Sequence, residues 1–263
     1  MKLAVCGKGG SGKSTITALL ARSFSLKGYK VLVIDSDESN SGLYRKLGMI
    51  SSPIPIMDII GGRKGFKEKK SSKVTVGGSS ESQDLLPDET ITINEISPEH
   101  IASRDGISLI IIGKIEQAME GCACPMGVMN REFLHKLSLS PNEIVIVDTE
   151  AGLEHFGRGL ETTLGGIIII IDPSYESIDY AEKAFNLTRE TGINNIWTII
   201  NKSNSPETVE KLSKLLSDRK IPLTTSLNFD NNIFETELDG KSLVDASLDN
   251  HLDKLVDLII KTG

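Results

Sequence analysis

Residues Gly7-Lys8-Gly9-Gly10-Ser11-Gly12-Lys13-Ser14-Thr15 follow directly on the apolar run Leu3 to Cys6 and lead into an apolar-periodic stretch from Ile16 to Leu26. The segment fits G-x-x-x-x-G-K-[ST] with a strand before it and a helix after it. A loop of this kind turns its backbone N–H groups inward around an anion, and the positive end of the following helix points at the same place. The motif assigns Gly9, Gly10, Ser11, Gly12, Lys13, Ser14 and Thr15 to phosphate binding. Lys13 would neutralise the β- and γ-phosphates, and the Ser14 hydroxyl would meet Mg²⁺.

A strand, a loop and a helix in that order demand a sheet with helices on its faces, and the rest of the chain repeats the unit. Further strands are predicted at Lys30 to Ile34, Ile107 to Ile112, Glu143 to Val147, Ile167 to Ile171, Ile196 to Ile200 and Pro222 to Ser226. Their unbroken Ile/Val/Leu character suits strands covered on both faces. The fold class is therefore α/β: a doubly wound, mainly parallel sheet flanked by helices, in one domain spanning 1–263. The rhythm breaks at about 51–105, where a Lys/Ser/Gly-rich stretch is expected to be an insertion. Within it, Val74/Val76 and Ile91/Ile93 alternate as two strands of a hairpin would. Lys and Arg side chains concentrate over 63–73, either as a solvated surface or as a site for an acidic protein partner.

Charge and hydropathy exclude several classes. With 36 Asp and Glu against 29 Lys and Arg, the formal charge is -7, which gives no field to hold a nucleic acid. The longest aliphatic runs fall far short of the roughly 18 residues of a membrane span, and no signal segment precedes the phosphate loop, so a cytoplasmic location is expected. The final helix, expected from Asp249 to Lys261, carries Asp249, Asp253 and Asp257 against Lys254 and Lys261, the wrong balance for an anionic membrane surface.

Two carboxylate clusters follow buried strands. Asp148-Thr149-Glu150-Ala151-Gly152 places Asp148 where it can hold Mg²⁺ through water, and Gly152 where its N–H can meet the γ-phosphate. Asp35-Ser36-Asp37 closes the second strand. Asn201-Lys202 begins like the guanine-reading N-K-x-D motif, but the fourth residue is Asn204. A carboxylate accepts both guanine N–H groups with charge assistance and an amide does not, so ATP is the expected nucleotide.

Three cysteines remain. Cys6 falls within the first strand and is expected to be core. Cys122-Ala123-Cys124-Pro125 precedes a helix expected over Pro125 to Leu137, with Cys124 as its N-cap. A helix N-terminus favours thiolate, and thiolates select zinc, copper(I), nickel or iron-sulfur centres over Mg²⁺. Two thiolates are half of a tetrahedral set.

The form K-G-G-x-G-K-[ST] at Lys8 to Ser14 resembles the deviant phosphate loop of the family that includes MinD, ParA and the nitrogenase iron protein. The resemblance narrows along Gly113-Lys114-Ile115-Glu116, Glu120 to Pro125, Asp148 to Gly159 and Asp172-Pro173-Ser174, which look like the CooC-type accessory ATPases that load nickel into carbon monoxide dehydrogenase. It implies that Lys8 reaches the partner's nucleotide across an ATP-closed homodimer, that Asp37 positions the attacking water, and that Asn201 lies near adenine. It implies ATP, ADP and Mg²⁺ at the loop, and nickel, with zinc as a second occupant, shared between Cys122 and Cys124 of two subunits. The client implied is carbon monoxide dehydrogenase or the related acetyl-CoA synthase complex. The competing expectations are an iron-sulfur electron donor and a MinD- or ParA-type positioning ATPase.

Overall fold

The computed structural model describes residues 1–37, 42–62, 65–66, 85–86, 89–114, 124–151, 163–245 and 252–262. Eight strands form one sheet: β1 Lys2–Gly7, β2 Lys30–Asp35, β3 Ala102–Arg104, β4 Ile107–Ile111, β5 Glu143–Asp148, β6 Gly166–Ile171, β7 Ile196–Ser203 and β8 Thr225–Asn228. Their spatial order is β3-β4-β2-β5-β1-β6-β7-β8. Every neighbouring pair is parallel except β3 with β4. All six residues of β5 and of β6 are buried, as the apolar runs predict for strands covered on both faces.

Helices fill both sides. They are α1 Lys13–Leu26, the short α2 Leu43–Lys46, α3 Cys124–Lys136, α4 Tyr175–Glu190, α5 Pro206–Asp218, α6 Asn231–Leu238 and α7 Asp253–Thr262. One apolar cluster joins α1 and α7 to one sheet face through Leu20, Phe24, Val33, Ile146, Val256 and Ile259. On the opposite face Phe133 and Met129 of α3 meet Leu32, Val145, Ile56 and Leu86. A third cluster seats Ile178 and Ala181 of α4 and Leu212 of α5 on Ile169 and Ile171. Helix starts are chemically marked: Ser174 accepts from Ser177 N–H, Ser205 from Thr208 N–H, and Asp230 from Asn232 and Ile233 N–H, each cap worth about 1 kcal/mol.

Four expectations are corrected. Ile91 and Ile93 do not form a hairpin strand: Ile91 makes a parallel bridge to Leu137, and Ile93–Glu95 is a 3-10 turn closed by a Thr92–Glu95 capping box. Val74 and Val76 lie outside the described residues. The hairpin lies elsewhere, between β3 and β4, where Asp105 (φ 50°) and Gly106 (φ 80°) form a two-residue turn with positive φ at both positions. The last strand begins at Thr225 rather than Pro222, whose ring cannot donate to a ladder. Helix α3 is described from Cys124, which is already helical and so is not its N-cap, and the C-terminal helix is described from Asp253.

Cys6 is fully buried in β1, as expected, and burial pushes its thiol up to about 12. Among the described residues no helix is long and apolar enough to cross a membrane. The apolar side of α7 is spent on the core, with Leu255, Val256 and Ile259 all buried against the α1 cluster.

Candidate functional site

Strand order reverses around β1, which lies between β5 and β6, and ligands of open α/β sheets bind outside the strand carboxyl ends at such a point. The phosphate loop leaves β1 there. Gly12 caps α1 in a left-handed conformation (φ 98°), and its carbonyl accepts the Ile16 N–H at 2.9 Å. A Cβ on Gly12 would fall 2.5 Å from Asn201 Nδ2, so both the conformation and the space require glycine. Lys13 is buried at the start of α1, its Nζ 3.5 Å from the Lys8 carbonyl, while the Ser11 N–H closes a turn back to that carbonyl at 3.1 Å.

Two residues from β7 brace the loop. Asn201 donates through Nδ2 to the Ser11 carbonyl at 2.8 Å, and Lys202, at φ 58°, donates through Nζ to the Gly10 carbonyl at 2.8 Å. Engaging carbonyls from outside leaves the loop's N–H groups directed to the anion position. The structure thus brings Asn201 and Lys202 to the loop itself. Thr15, one residue beyond Ser14, donates its hydroxyl to Glu237 Oε1 on α6, and Lys46 pairs with the same carboxylate.

The carboxylates come from strand ends. Asp148 ends β5 with no solvent exposure; it accepts from Ser14 Oγ at 2.6 Å and from Thr17 Oγ1 at 3.4 Å. Burial pushes its carboxyl up to about 6, against the opposing pull of the Ser14 hydrogen bond and the Lys13 charge. Asp35 ends β2 directly beside it and is pushed up to about 7 by burial, which outweighs the Lys114 ammonium. Lys114 Nζ donates to Asp35 Oδ2 at 2.7 Å and also to the Asp37 carbonyl, and the Asp37 N–H donates to Asp35 Oδ1 at 3.1 Å.

Lys8 sits at the rim, partly exposed, with Nζ 3.3 Å from Ser174 Oγ and 3.7 Å from Glu176 Oε2. The structure therefore assembles Lys8, Gly9 to Thr15, Asp37, Asp148, Asn201 and Lys202 around one mouth. Gly152, Cys122 and the Cys124 side chain lie outside the described residues. Among the described residues no group of three or more His, Cys, Asp or Glu side chains could hold a metal ion. Asp35 and Lys114 lie in the Asp35-Ser36-Asp37 and Gly113-Lys114-Ile115-Glu116 runs, but sequence reasoning gives neither a role at the site. The further signal is an acid at the end of a buried strand beside a lysine following another.

The arrangement combines anion-binding backbone, a buried ammonium and a hydroxyl-carboxylate pair of hard oxygen donors, the chemistry of a Mg²⁺-nucleoside triphosphate site. The chain is 48% identical over 202 residues to an uncharacterized ATP-binding protein of Methanocaldococcus jannaschii, covering 77% of this chain and 78% of that protein. It is 32% identical over 249 residues to the carbon monoxide dehydrogenase accessory protein CooC of Rhodospirillum rubrum, covering 94% of this chain and 90% of that one. The fold matches the septum site-determining protein MinD of Pyrococcus horikoshii, solved with Mg-ADP, at a TM-score of 0.68 and 17% identity over 98% of this chain and 95% of that one. A family described as the CobQ/CobB/MinD/ParA nucleotide binding domain matches residues 3–244. Because that match runs from the first strand to beyond the last strand of the sheet, the chain belongs to the CobQ/CobB/MinD/ParA family and is a P-loop ATPase.

Proposed function

We propose that this ATPase is a metal-loading switch of the CooC type, acting in the cytoplasm as an ATP-closed homodimer that carries nickel as cargo to carbon monoxide dehydrogenase or a related acetyl-CoA synthase complex. The observation that carries the reading is the 32% identity to the Rhodospirillum rubrum CooC protein over 94% of this chain. The Cys122-x-Cys124 pair supports it, since two pairs related by a twofold axis supply the four soft ligands of a tetrahedral site.

In the nucleotide site, Lys13 and the loop N–H groups hold the β- and γ-phosphates. The Ser14 hydroxyl would ligate Mg²⁺ directly and Asp148 through water; burial makes the Asp148 anion costly and pushes its carboxyl up to about 6, and a divalent cation nearby would stabilise that anion. Bound there, that ion would screen charge on the phosphate oxygens. Asp37 orients water in line with the γ-phosphorus; the water oxygen bonds to phosphorus, the bond to ADP breaks, and the water proton leaves with phosphate or solvent. Lys8 completes the charge balance from the opposite subunit. Its contact with exposed Glu176 is of a kind worth about 0–1 kcal/mol, so little holds it back from the partner's nucleotide. Hydrolysis then opens the dimer and weakens the shared thiolate site.

Metal analysis with molar-mass measurement, with and without ATP, tests this. The expected result is about one nickel or zinc per two chains, tighter with ATP, and lost in Cys122→Ser and in Cys124→Ser. One metal per chain that survives both replacements overturns the shared site. A brown protein with visible absorption when purified without oxygen would move the reading to an iron-sulfur electron donor.

A further inference from the structure

The sequence motifs that contain Asp35 and Lys114 give neither residue a role, yet the buried pair is wired to the backbone of the residue assigned to hydrolysis. Lys114 follows β4 at the level where the Ile112 N–H donates to the Asp35 carbonyl at 3.0 Å. Its side chain is 12% exposed and that of Asp35 is 2% exposed. From there its ammonium spans Asp35 Oδ2 and the Asp37 carbonyl, while Asp35 Oδ1 takes the Asp37 N–H. Both main-chain polar groups of Asp37 are thus held by one ion pair.

We infer that Lys114 is a positioning residue for ATP hydrolysis, clamping the Asp37 main chain together with Asp35 so that the Asp37 side chain meets the attacking water. The inference rests on the role proposed for Asp37. A buried pair kept only for stability would have no need of the Asp37 carbonyl, and such pairs are often replaceable by apolar side chains without loss of stability. The clamp also has an electrostatic part. Asp35, Asp37 and Asp148 converge, and each of the buried acids feels Asp37 as a charge that raises it. Lys114 opposes that repulsion at both buried acids, and Lys13 does so at Asp148. Without Lys114, repulsion would drive Asp37 away from the position set by the strand ends. Misplacing a reacting group by about 1 Å can cost about 100-fold in rate.

The test compares ATP turnover with equilibrium binding of a fluorescent ATP analogue for full-length K114M, K114R, D35N/K114M, D37N and D37N/K114M. K114M is expected to lower kcat by about tenfold or more while affinity stays within about threefold, because the clamp acts on the water and not on the phosphates. K114R should recover most of the turnover by keeping a cation at the clamp. On D37N, the added K114M should cost nothing further, as a residue acting through Asp37 must be silent once Asp37 is gone. D35N/K114M removes both buried charges, and it too should bind nucleotide and turn over slowly. Unchanged kcat in K114M, affinity falling in step with kcat, or Arg performing no better than Met would each overturn the inference. An inactive D37N beside a fully active K114M would defeat the clamp alone, whereas an active D37N would defeat the Asp37 assignment and the clamp with it.

Discussion

Asp35 and Asp148 are cross-strand neighbours at the carboxyl ends of β2 and β5, both shut away from solvent behind the phosphate loop. Parallel register puts them side by side, and the sheet leaves neither an easy route to water. Burial raises both, Asp35 to about 7 and Asp148 to about 6, and each is further raised by Asp37. Both acids therefore hold their protons more tightly than free carboxyls do, and a cation brought to the site would favour their ionised forms.

Stability of the nucleotide-free protein should fall as pH rises through this pair. A carboxyl whose folded value is raised binds its proton more tightly folded than unfolded. Its contribution is fully present below about 4 and is lost as pH passes through the folded values near 6 and 7. Denaturant titrations at pH 5 and pH 8 should differ in that direction by about 1 kcal/mol or more, and Asp148→Asn should reduce the difference, leaving the share of Asp35. A curve that rises from pH 5 to pH 8, with Asp148→Asn unchanged in shape, would contradict the buried-acid account.

Binding of Mg²⁺-nucleotide should release protons. With its carboxyl raised by burial to about 6, a large fraction of Asp148 is protonated at pH 6, and a cation near its carboxylate drives that proton off. Calorimetry in buffers of different ionisation enthalpy should give a heat that depends on buffer at pH 6 and much less at pH 8. Buffer-independent heats at pH 6 would mean that Asp148 is already ionised.

Lys13 and Lys8 should separate binding from turnover. Lys13→Ala removes the buried ammonium at the head of α1 and should abolish nucleotide binding. Lys8→Ala removes a cation at the rim and should spare affinity while lowering turnover by about 100-fold or more, the scale of a missing charge at a transferred phosphoryl group. Equal loss of affinity in both variants would leave Lys8 with no separate role.

The brace from β7 should be as necessary as the loop. Gly12→Ala forces a Cβ to 2.5 Å from Asn201 Nδ2 in a left-handed conformation, so ATP affinity should fall while far-ultraviolet circular dichroism stays that of the wild type. Asn201→Ala leaves the Ser11 carbonyl without its bond and should cost about 1–3 kcal/mol in nucleotide binding. Wild-type ATP affinity in both would show that the loop holds its shape unaided.

Cys6 should be silent to thiol chemistry in the native state. Its sulfur is buried in β1 and raised to about 12, so iodoacetamide at pH 8 should label it only after unfolding. Cys6→Ala should leave metal stoichiometry unchanged. Native labelling of Cys6 on the timescale of an exposed thiol would mean that β1 opens without global unfolding.

The sequence alone determined the sheet-and-helix alternation, because buried parallel strands leave continuous apolar runs such as Ile167 to Ile171, and it determined the phosphate loop, because backbone cradling of an anion needs glycine at fixed spacing. Asp148 could be named for the same reason, as an acid immediately after a buried strand. Only tertiary structure decided what the strand ends place together. The Asp105-Gly106 turn falls at the very end of a polar stretch that reads as insertion, and a three-residue edge strand is too short to show period two. The Asn201 and Lys202 brace joins residues 190 and 192 positions from their partners, and the Lys114 clamp crosses 79 and 77. Contacts of that separation are set by strand order and register in the folded sheet, and periodicity, composition and local motif contain neither.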